Sequence, residues 1–311
     1  MNVMESLQQM IPKPVVNTYH PFSHTAGNYR DIKNYYQVAG PDYAAWSRDF
    51  NMHFGYCKQF SDIFSLEKML YRMNDLVLDR LQIPPERSCT IADLGCGVGT
   101  VARYAAKKYP NAMLTGVTIV DYQVKKGNEL IRKDGLTGNV QLVKDNFEYL
   151  RFKDESFDLA YALESACHAS GSDKVFFIAE MARILKKGGR FCIADGFLKH
   201  GERLPWLFKK IYFKIIKCWA LPCFGNINEF TARLKQYGLS EITVTEISRQ
   251  IAPSVAHVPR TSIKFLVSEL WKNKSLRLRK ERWNNLVAPL LGMILGLYRR
   301  QFGYFIISGK K

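Results

Sequence analysis

The chain has 311 residues, of which 47% are hydrophobic, and carries 45 Lys and Arg against 28 Asp and Glu, a formal net charge of +17. That length and apolar content support one large domain, or a catalytic domain with a substantial cap, and exclude a disordered or low-complexity chain. The charge is uneven: residues 199–311 hold 21 basic and 6 acidic side chains, whereas residues 1–198 are nearly balanced at 24 and 22.

Residues 1–80 read as mostly helical and aromatic, with Tyr19, Tyr29, Tyr35, Tyr36, Tyr43 and Trp46 crowded together, and Pro84-Pro85 ends the region. An alternation of strands and helices then begins. Cys89–Leu94 is a short apolar run before a glycine cluster, the pattern of a buried parallel strand. Val101–Tyr109 is a helix, Met113–Thr118 a strand, Tyr122–Asp134 a helix closed by Gly135, and Val140–Lys144 and Phe157–Ala162 two further strands. Lys174–Leu185 is a helix, and Lys186-Lys187-Gly188-Gly189 supplies its expected C-terminal stop before a fifth strand at Arg190–Asp195. Trp206–Trp219 reads as a helix with Lys210, Lys214 and Lys217 in one stripe and Phe208, Ile211, Ile215 and Trp219 elsewhere. It suits either a membrane interface or an ordinary packed cap. Ile227–Tyr237 is a helix, and Glu241–Ser248 and Gly303–Ser308 are strands expected to pair antiparallel around an insertion at about 250–300. The rhythm predicts an α/β fold built on a doubly wound parallel sheet.

Seven cysteines, at 57, 89, 96, 167, 192, 218 and 223, form no C-x-x-C pair, so no metal site is expected and a reducing compartment is. The N-terminal MNVMESLQQMIPKP lacks the pattern of a signal peptide. The longest apolar stretch, Leu286–Tyr298, is broken by Pro289 and two glycines and is too short to span a bilayer. The expected location is cytoplasmic, with peripheral membrane contact open.

The strongest local signal is Ile91-Ala92-Asp93-Leu94-Gly95-Cys96-Gly97-Val98-Gly99-Thr100, entered by a strand and left by a helix. Glycines at 95, 97 and 99 allow a tight turn and close approach of a ligand. The spacing differs from the G-x-G-x-x-G of nicotinamide enzymes. Asp93 at the strand end would repel a pyrophosphate but suits a ligand with an ammonium group. Asp93–Val98 followed by Gly99 resembles motif I of class I S-adenosylmethionine-dependent methyltransferases. Gly116–Gln123 resembles the G-I-T-L-S-x-x-Q segment of lipid-modifying C-methyltransferases, matched at Thr118, Ile119 and Gln123. Asp145-Asn146-Phe147 resembles the adenine-edge segment, and Tyr161–Ala169 is very similar to the Y-A-I-E-A-T-C-H-A segment of sterol C-methyltransferases. Tyr35-Tyr36, Tyr43, Trp46 and Phe50–Gly55 resemble the N-terminal aromatic region of that group. Related segments occur in prenyl diphosphate, tocopherol and cyclopropane-forming methyltransferases, and the resemblance covers about residues 30–200.

The resemblance implies a Rossmann-like, seven-stranded core at 83–250 and 301–311, a helical lid at 1–82, and a basic helical cap at 199–226 and 251–300. It implies S-adenosylmethionine as cofactor, held by Asp93, Gly95, Cys96, Gly97, Gly99, Thr118, Ile119, Gln123, Asp145, Asn146, Phe147 and Glu164. In the implied chemistry an alkene attacks the sulfonium methyl and leaves a carbocation. Aromatic faces stabilise such a cation, with Tyr36 and Trp46 as candidates beside Tyr35 and Tyr43. Glu164 is the expected charge stabiliser, with contact to the cofactor as its other reading, and His168 the expected base. His53 is a further candidate that could instead bond the backbone near the cofactor.

Three substrate classes remain. A prenyl diphosphate such as farnesyl diphosphate, with or without cyclisation, is favoured by the basic last third, where Lys209, Lys210, Arg260, Lys264, Arg299 and Arg300 could hold the diphosphate. A sterol or related lipid is favoured by the segment Glu164–His168. RNA binding is permitted by the charge, but no RRM, KH or zinc-knuckle pattern appears, and no nucleic-acid partner is expected.

Overall fold

The computed structural model describes residues 29–200, 204–274 and 277–311; Tyr19 and the first part of the expected lid lie outside them. The sheet runs β3-β2-β1-β4-β5-β8-β7, with the two-residue β6 (Gly225–Asn226) paired to β5 off this path. Strands β1 (Cys89–Leu94), β2 (Ala112–Thr118), β3 (Val140–Lys144), β4 (Phe157–Leu163) and β5 (Leu185–Leu198) are parallel, while β8 (Phe302–Lys310) lies antiparallel between β5 and β7 (Ser240–Glu246). This is the expected doubly wound sheet with its antiparallel edge pair. Chain order reverses between β1 and β4, which opens a crevice at the carboxyl edge, where ligands bind in such folds.

The helices follow local chemistry. In α1 (Tyr29–Ala39), Ile32 and Tyr35 are buried, and Pro41 begins a short turn leading into α2 (Tyr43–Trp46). Ser65 caps α3 (Leu66–Leu81) by accepting from the Lys68 amide at 3.3 Å. Gly99, at φ 73°, makes the entry to α4 (Thr100–Lys108); a Cβ there would stand 3.0 Å from Leu142. Helix α5 (Asp121–Lys133) follows β2, and α6 (Val175–Ile184) precedes β5.

Two differences from the expected boundaries have a clear physical cause. The segment Lys186–Gly189 does not close α6. The helix stops at Ile184 because Leu185 is already extended and pairs with Phe157, so residues 186–189 form an irregularity inside β5 before Arg190 resumes the register opposite Leu159. Strand β7 ends at Glu246 rather than Ser248, because the Ile247 amide donates to the Tyr304 carbonyl at 2.8 Å and the chain turns into α9 (Ser248–Val255).

The cap contains α7 (Trp206–Cys218), α10 (Val258–Asn273) and α11 (Lys280–Leu297), with α8 (Ile227–Gln236) on the sheet beside α6. Helix α7 buries Ile211, Tyr212, Ile215 and Ile216 against Leu295 and Phe302, and Phe208 stacks on Tyr298 at 4.4 Å. Its lysines point outward. The apolar face expected of this helix is therefore used for packing. Arg282 ties the cap together: it donates to both oxygens of Asp42 at 2.8–3.0 Å and to Glu269 at 2.9 Å.

Candidate active site

The turn after β1 builds the floor of a cleft of about 870 Å3, lined by Asp93, Gly95, Cys96 and Gly97. Gly95 and Gly97 have φ of 88° and 54°, and added Cβ atoms would lie 2.3 Å from Ser165 Cβ and 3.0 Å from Met52 Sδ. The cleft exists because these positions carry no side chain. Asp93 is buried and accepts from the Tyr161 hydroxyl at 2.7 Å, and burial pushes its carboxyl up to about 7. Thr118, Ile119, Val120 and Gln123, after β2, line one side, and Thr118 Oγ1 donates to Gln123 Oε1 at 2.5 Å. Asn146 and Phe147, after β3, line another. A glycine cradle, two carboxylates at Asp93 and Glu164, and an apolar slot beside amide groups fit a cationic aminoacyl group joined to a nucleoside.

The N-terminal segment closes over this cleft. Thr100 Oγ1 donates to the Asp49 carbonyl at 2.7 Å, and the Tyr29 hydroxyl donates to Glu148 at 2.6 Å. Glu148 also accepts from the Ser170 amide at 2.8 Å.

Against the cleft lies a larger cavity of about 1110 Å3. The two share Tyr36, Met52, His53, Glu164 and His168, so these residues stand at the junction. Tyr36, Tyr43, Trp46 and Phe54 form one wall, and Trp219, Phe224, Phe265 and Pro289 come from the cap. Among the described residues its lining includes no Lys or Arg; its ionisable carboxyls are Asp42, Glu164 and Asp195.

Glu164 directly follows β4 at φ 50°, a left-handed conformation rare for a non-glycine residue and typical of functional turns. One carboxyl oxygen accepts from the Phe54 amide at 2.7 Å and the Tyr304 hydroxyl at 2.8 Å. Burial outweighs these bonds and pushes the carboxyl up to about 8. Asp195, at the edge of β5, accepts from the amides of Cys167 at 2.8 Å and Gly196 at 2.7 Å, yet burial raises it to about 6. His168 Nε2 lies 2.9 Å from the Tyr36 hydroxyl, and its Nδ1 is buried with no hydrogen-bond partner. Burial first, then the nearby charge of Lys174, lowers it to about 3, so the ring is neutral at pH 7. Lys174 is itself buried behind this turn, its ammonium donating to the carbonyls of Cys167, Ala169 and Cys223 at 2.7–3.2 Å.

Residues 92–193 match the methyltransferase domain family. The cycloartenol-C-24-methyltransferase 1 of Oryza sativa subsp. japonica is 34% identical over 248 residues, 78% of this chain and 68% of that protein. The chain belongs to the class I S-adenosylmethionine-dependent methyltransferases.

The fold of this methyltransferase matches the cyclopropane synthase MmaA2 from Mycobacterium tuberculosis with a TM-score of 0.77, at 15% identity over 92% of this chain and 99% of that one. It also matches geranyl diphosphate C-methyltransferase from Streptomyces coelicolor A3(2), solved with Mg2+, geranyl diphosphate and S-adenosyl-L-homocysteine, with a TM-score of 0.68, at 18% identity over 90% and 96%. Several curated relatives are matched over half or less of their own length. S-Adenosylmethionine is the methyltransferase's cofactor, and the cleft at Asp93–Gly97 has the residues to hold it.

Ten of the twelve expected cofactor residues line that cleft. The two outside it have other work: Gly99 starts α4, and Asp145 accepts from the amides of Asn146 and Arg151 at 3.0 Å and from the Arg151 guanidinium at 3.2 Å. Tyr36, Trp46, His53 and His168 all reach the cavity. His53 is 4% exposed, its Nδ1 is 2.9 Å from the Phe54 carbonyl and its Nε2 is 3.2 Å from Asn51 Oδ1, so it braces the Asn51–Phe54 turn. Tyr35 is buried away from the cavity and bonds Asn285 at 2.8 Å. The enzyme's Lys209, Lys210, Arg260, Lys264, Arg299 and Arg300 do not line the cavity. Sequence reasoning missed Asp195, Tyr304 and Asp42. Asp195 had a signal, as the last residue of a predicted strand at the ligand-binding edge.

Proposed function

We propose that this methyltransferase methylates an alkene carbon of a neutral, largely apolar isoprenoid lipid of the sterol type, through a carbocation. The observation that carries the reading is the cavity itself: aromatic walls, three carboxyl groups, and no Lys or Arg among its described lining residues. A diphosphate would find no Lys or Arg among the described lining residues to pair its charge. The similarity to the rice cycloartenol enzyme supports the same class. Lys209, Lys210, Arg260, Lys264, Arg299 and Arg300, the expected diphosphate holders, lie outside the cavity lining, so the reading rests on the lining rather than on the net charge of the last third.

When bound, S-adenosylmethionine supplies an electrophilic methyl group on a positive sulfonium. Tyr36, Tyr43 and Trp46 offer π faces to a developing cation. Glu164, at the junction of cleft and cavity, places a carboxylate where positive charge develops, and Phe54 and Tyr304 fix its direction. A cation beside Glu164 also favours its ionised form. A carbocation is a far stronger acid than an imidazolium, so neutral His168, paired with Tyr36, suffices to take the final proton.

The test offers methyl-labelled S-adenosylmethionine with geranyl and farnesyl diphosphates, their alcohols and Δ24 sterols. Label in the neutral isoprenoids or sterols is expected. Label in a diphosphate but not in its alcohol would overturn the reading.

A further inference from the structure

Helix α10 has two distinct faces. Val258, Thr261, Ser262 and Phe265 line the cavity. Ile263, Val267, Leu270 and Trp271 recur at helical spacing on the opposite face and are exposed, Ile263 by 62% and Trp271 by 82%. Arg260 and Lys264 share that outer face, Lys274 follows the last turn, and all three are exposed. The helix has one carboxylate, Glu269, which is turned inward and bonded to Arg282 at 2.9 Å. Helix α11 repeats the pattern: Trp283, Leu290, Ile294 and Leu297 form an exposed stripe, followed by Arg299 and Arg300.

Exposed apolar stripes of this size are uncommon on a protein that stays free in water. We propose that the outer face of α10, together with the stripe on α11, docks on the surface of an anionic phospholipid bilayer. Charge complementarity selects this occupant. The face interleaves Trp and aliphatic side chains with Lys and Arg, and presents no carboxylate from α10, the pattern of a helix lying in a lipid interface. Each basic residue near an anionic leaflet strengthens binding about fivefold. No helix among the described residues is long and apolar enough to cross a membrane, so the contact is peripheral. One helix then separates the bilayer from the cavity. The docking holds whichever substrate the cavity takes, so its test is independent of the methylation assay.

The full chain is sedimented with vesicles of phosphatidylcholine alone and of phosphatidylcholine with about a third phosphatidylglycerol, at low and high salt. Binding to the anionic vesicles is expected, at least tenfold weaker on neutral vesicles or at high salt. The double variants Ile263→Glu/Trp271→Glu and Lys264→Glu/Lys274→Glu should each lose at least tenfold in vesicle binding while binding S-adenosylmethionine as before. Absence of binding to anionic vesicles, or binding unchanged in both variants, overturns the proposal. So does a chromatographic dimer that Ile263→Glu/Trp271→Glu dissolves, which would assign the face to a second copy of the chain.

Discussion

Replacing Glu164 with Gln removes the charge at the junction of cleft and cavity while keeping its geometry. The amide oxygen can still accept from the Phe54 amide and the Tyr304 hydroxyl, now at 2.7 and 2.8 Å. A carboxylate about 4–5 Å from a carbocation, in an effective dielectric of about 20, stabilises it by about 3–4 kcal/mol. That corresponds to roughly 150- to 900-fold in rate. Single-turnover transfer of labelled methyl should fall by that factor, while calorimetric affinity for S-adenosylmethionine falls only a few-fold. The pH profile gives a second reading. Burial pushes the free enzyme's Glu164 up to about 8, so the active carboxylate accumulates as pH rises. The kcat/KM of the wild type should therefore climb through about pH 8, and Glu164→Gln should lack that limb. Equal losses in turnover and cofactor affinity would make Glu164 a cofactor-holding group, and unchanged turnover would refute the electrostatic role outright.

Asp93→Asn should abolish cofactor binding yet raise the melting temperature of the free protein at pH 8. Folding raises the Asp93 carboxyl to about 7, so its stabilising contribution is present below about pH 4 and is lost as pH rises through 7; the difference should vanish in acid, as thermal scans across pH would show. Gly95→Ala combines φ of 88° with a Cβ 2.3 Å from Ser165, and should cost about 2–4 kcal/mol in denaturant unfolding together with cofactor affinity. Arg282→Ala strands the largely buried side chains of Asp42 and Glu269, and should cost about 2–4 kcal/mol, with the KM for the methyl-accepting substrate rising more than that for the cofactor. Tyr36→Phe keeps the aromatic face but removes the hydroxyl 2.9 Å from His168, and should slow turnover at least tenfold with little change in cofactor affinity.

The elements legible in the sequence are those whose signals are local. Strand β1 and the glycine turn after it announce themselves by apolar run and spacing, and the structure places Cys89–Leu94 as read. The end of α6 was misplaced because Lys186–Gly189 has the chemistry of a helix stop, while the pairing of Leu185 with Phe157 decides the matter from another strand. Glu164 and His168 were found because they follow β4 within a recognisable segment. Tyr304 and the Asp42–Arg282 pair were not, since their partners lie 140 and 240 positions away and no local pattern encodes such a meeting. Net charge is silent on placement for a related reason: a count of Lys and Arg says nothing about which side of a helix they occupy.

Two hydrogen bonds, from the Ile247 amide to the Tyr304 carbonyl and from the Tyr304 amide to Ser248 Oγ, close the neck of the excursion that carries α9, α10 and α11. Entry and exit lie side by side on adjacent strands, so the chain beyond α9 could be exchanged for another of different length, while α9 stays, since Ile251 packs in the core and Ser254 Oγ accepts from the Gly55 amide at 2.9 Å. Such a graft would retune which substrate is accepted while leaving the glycine turn of the cofactor cleft in place. It has one boundary condition. Tyr304 sits at the exit and orients Glu164, so a splice placed beyond it would recast the reactive carboxylate along with the specificity.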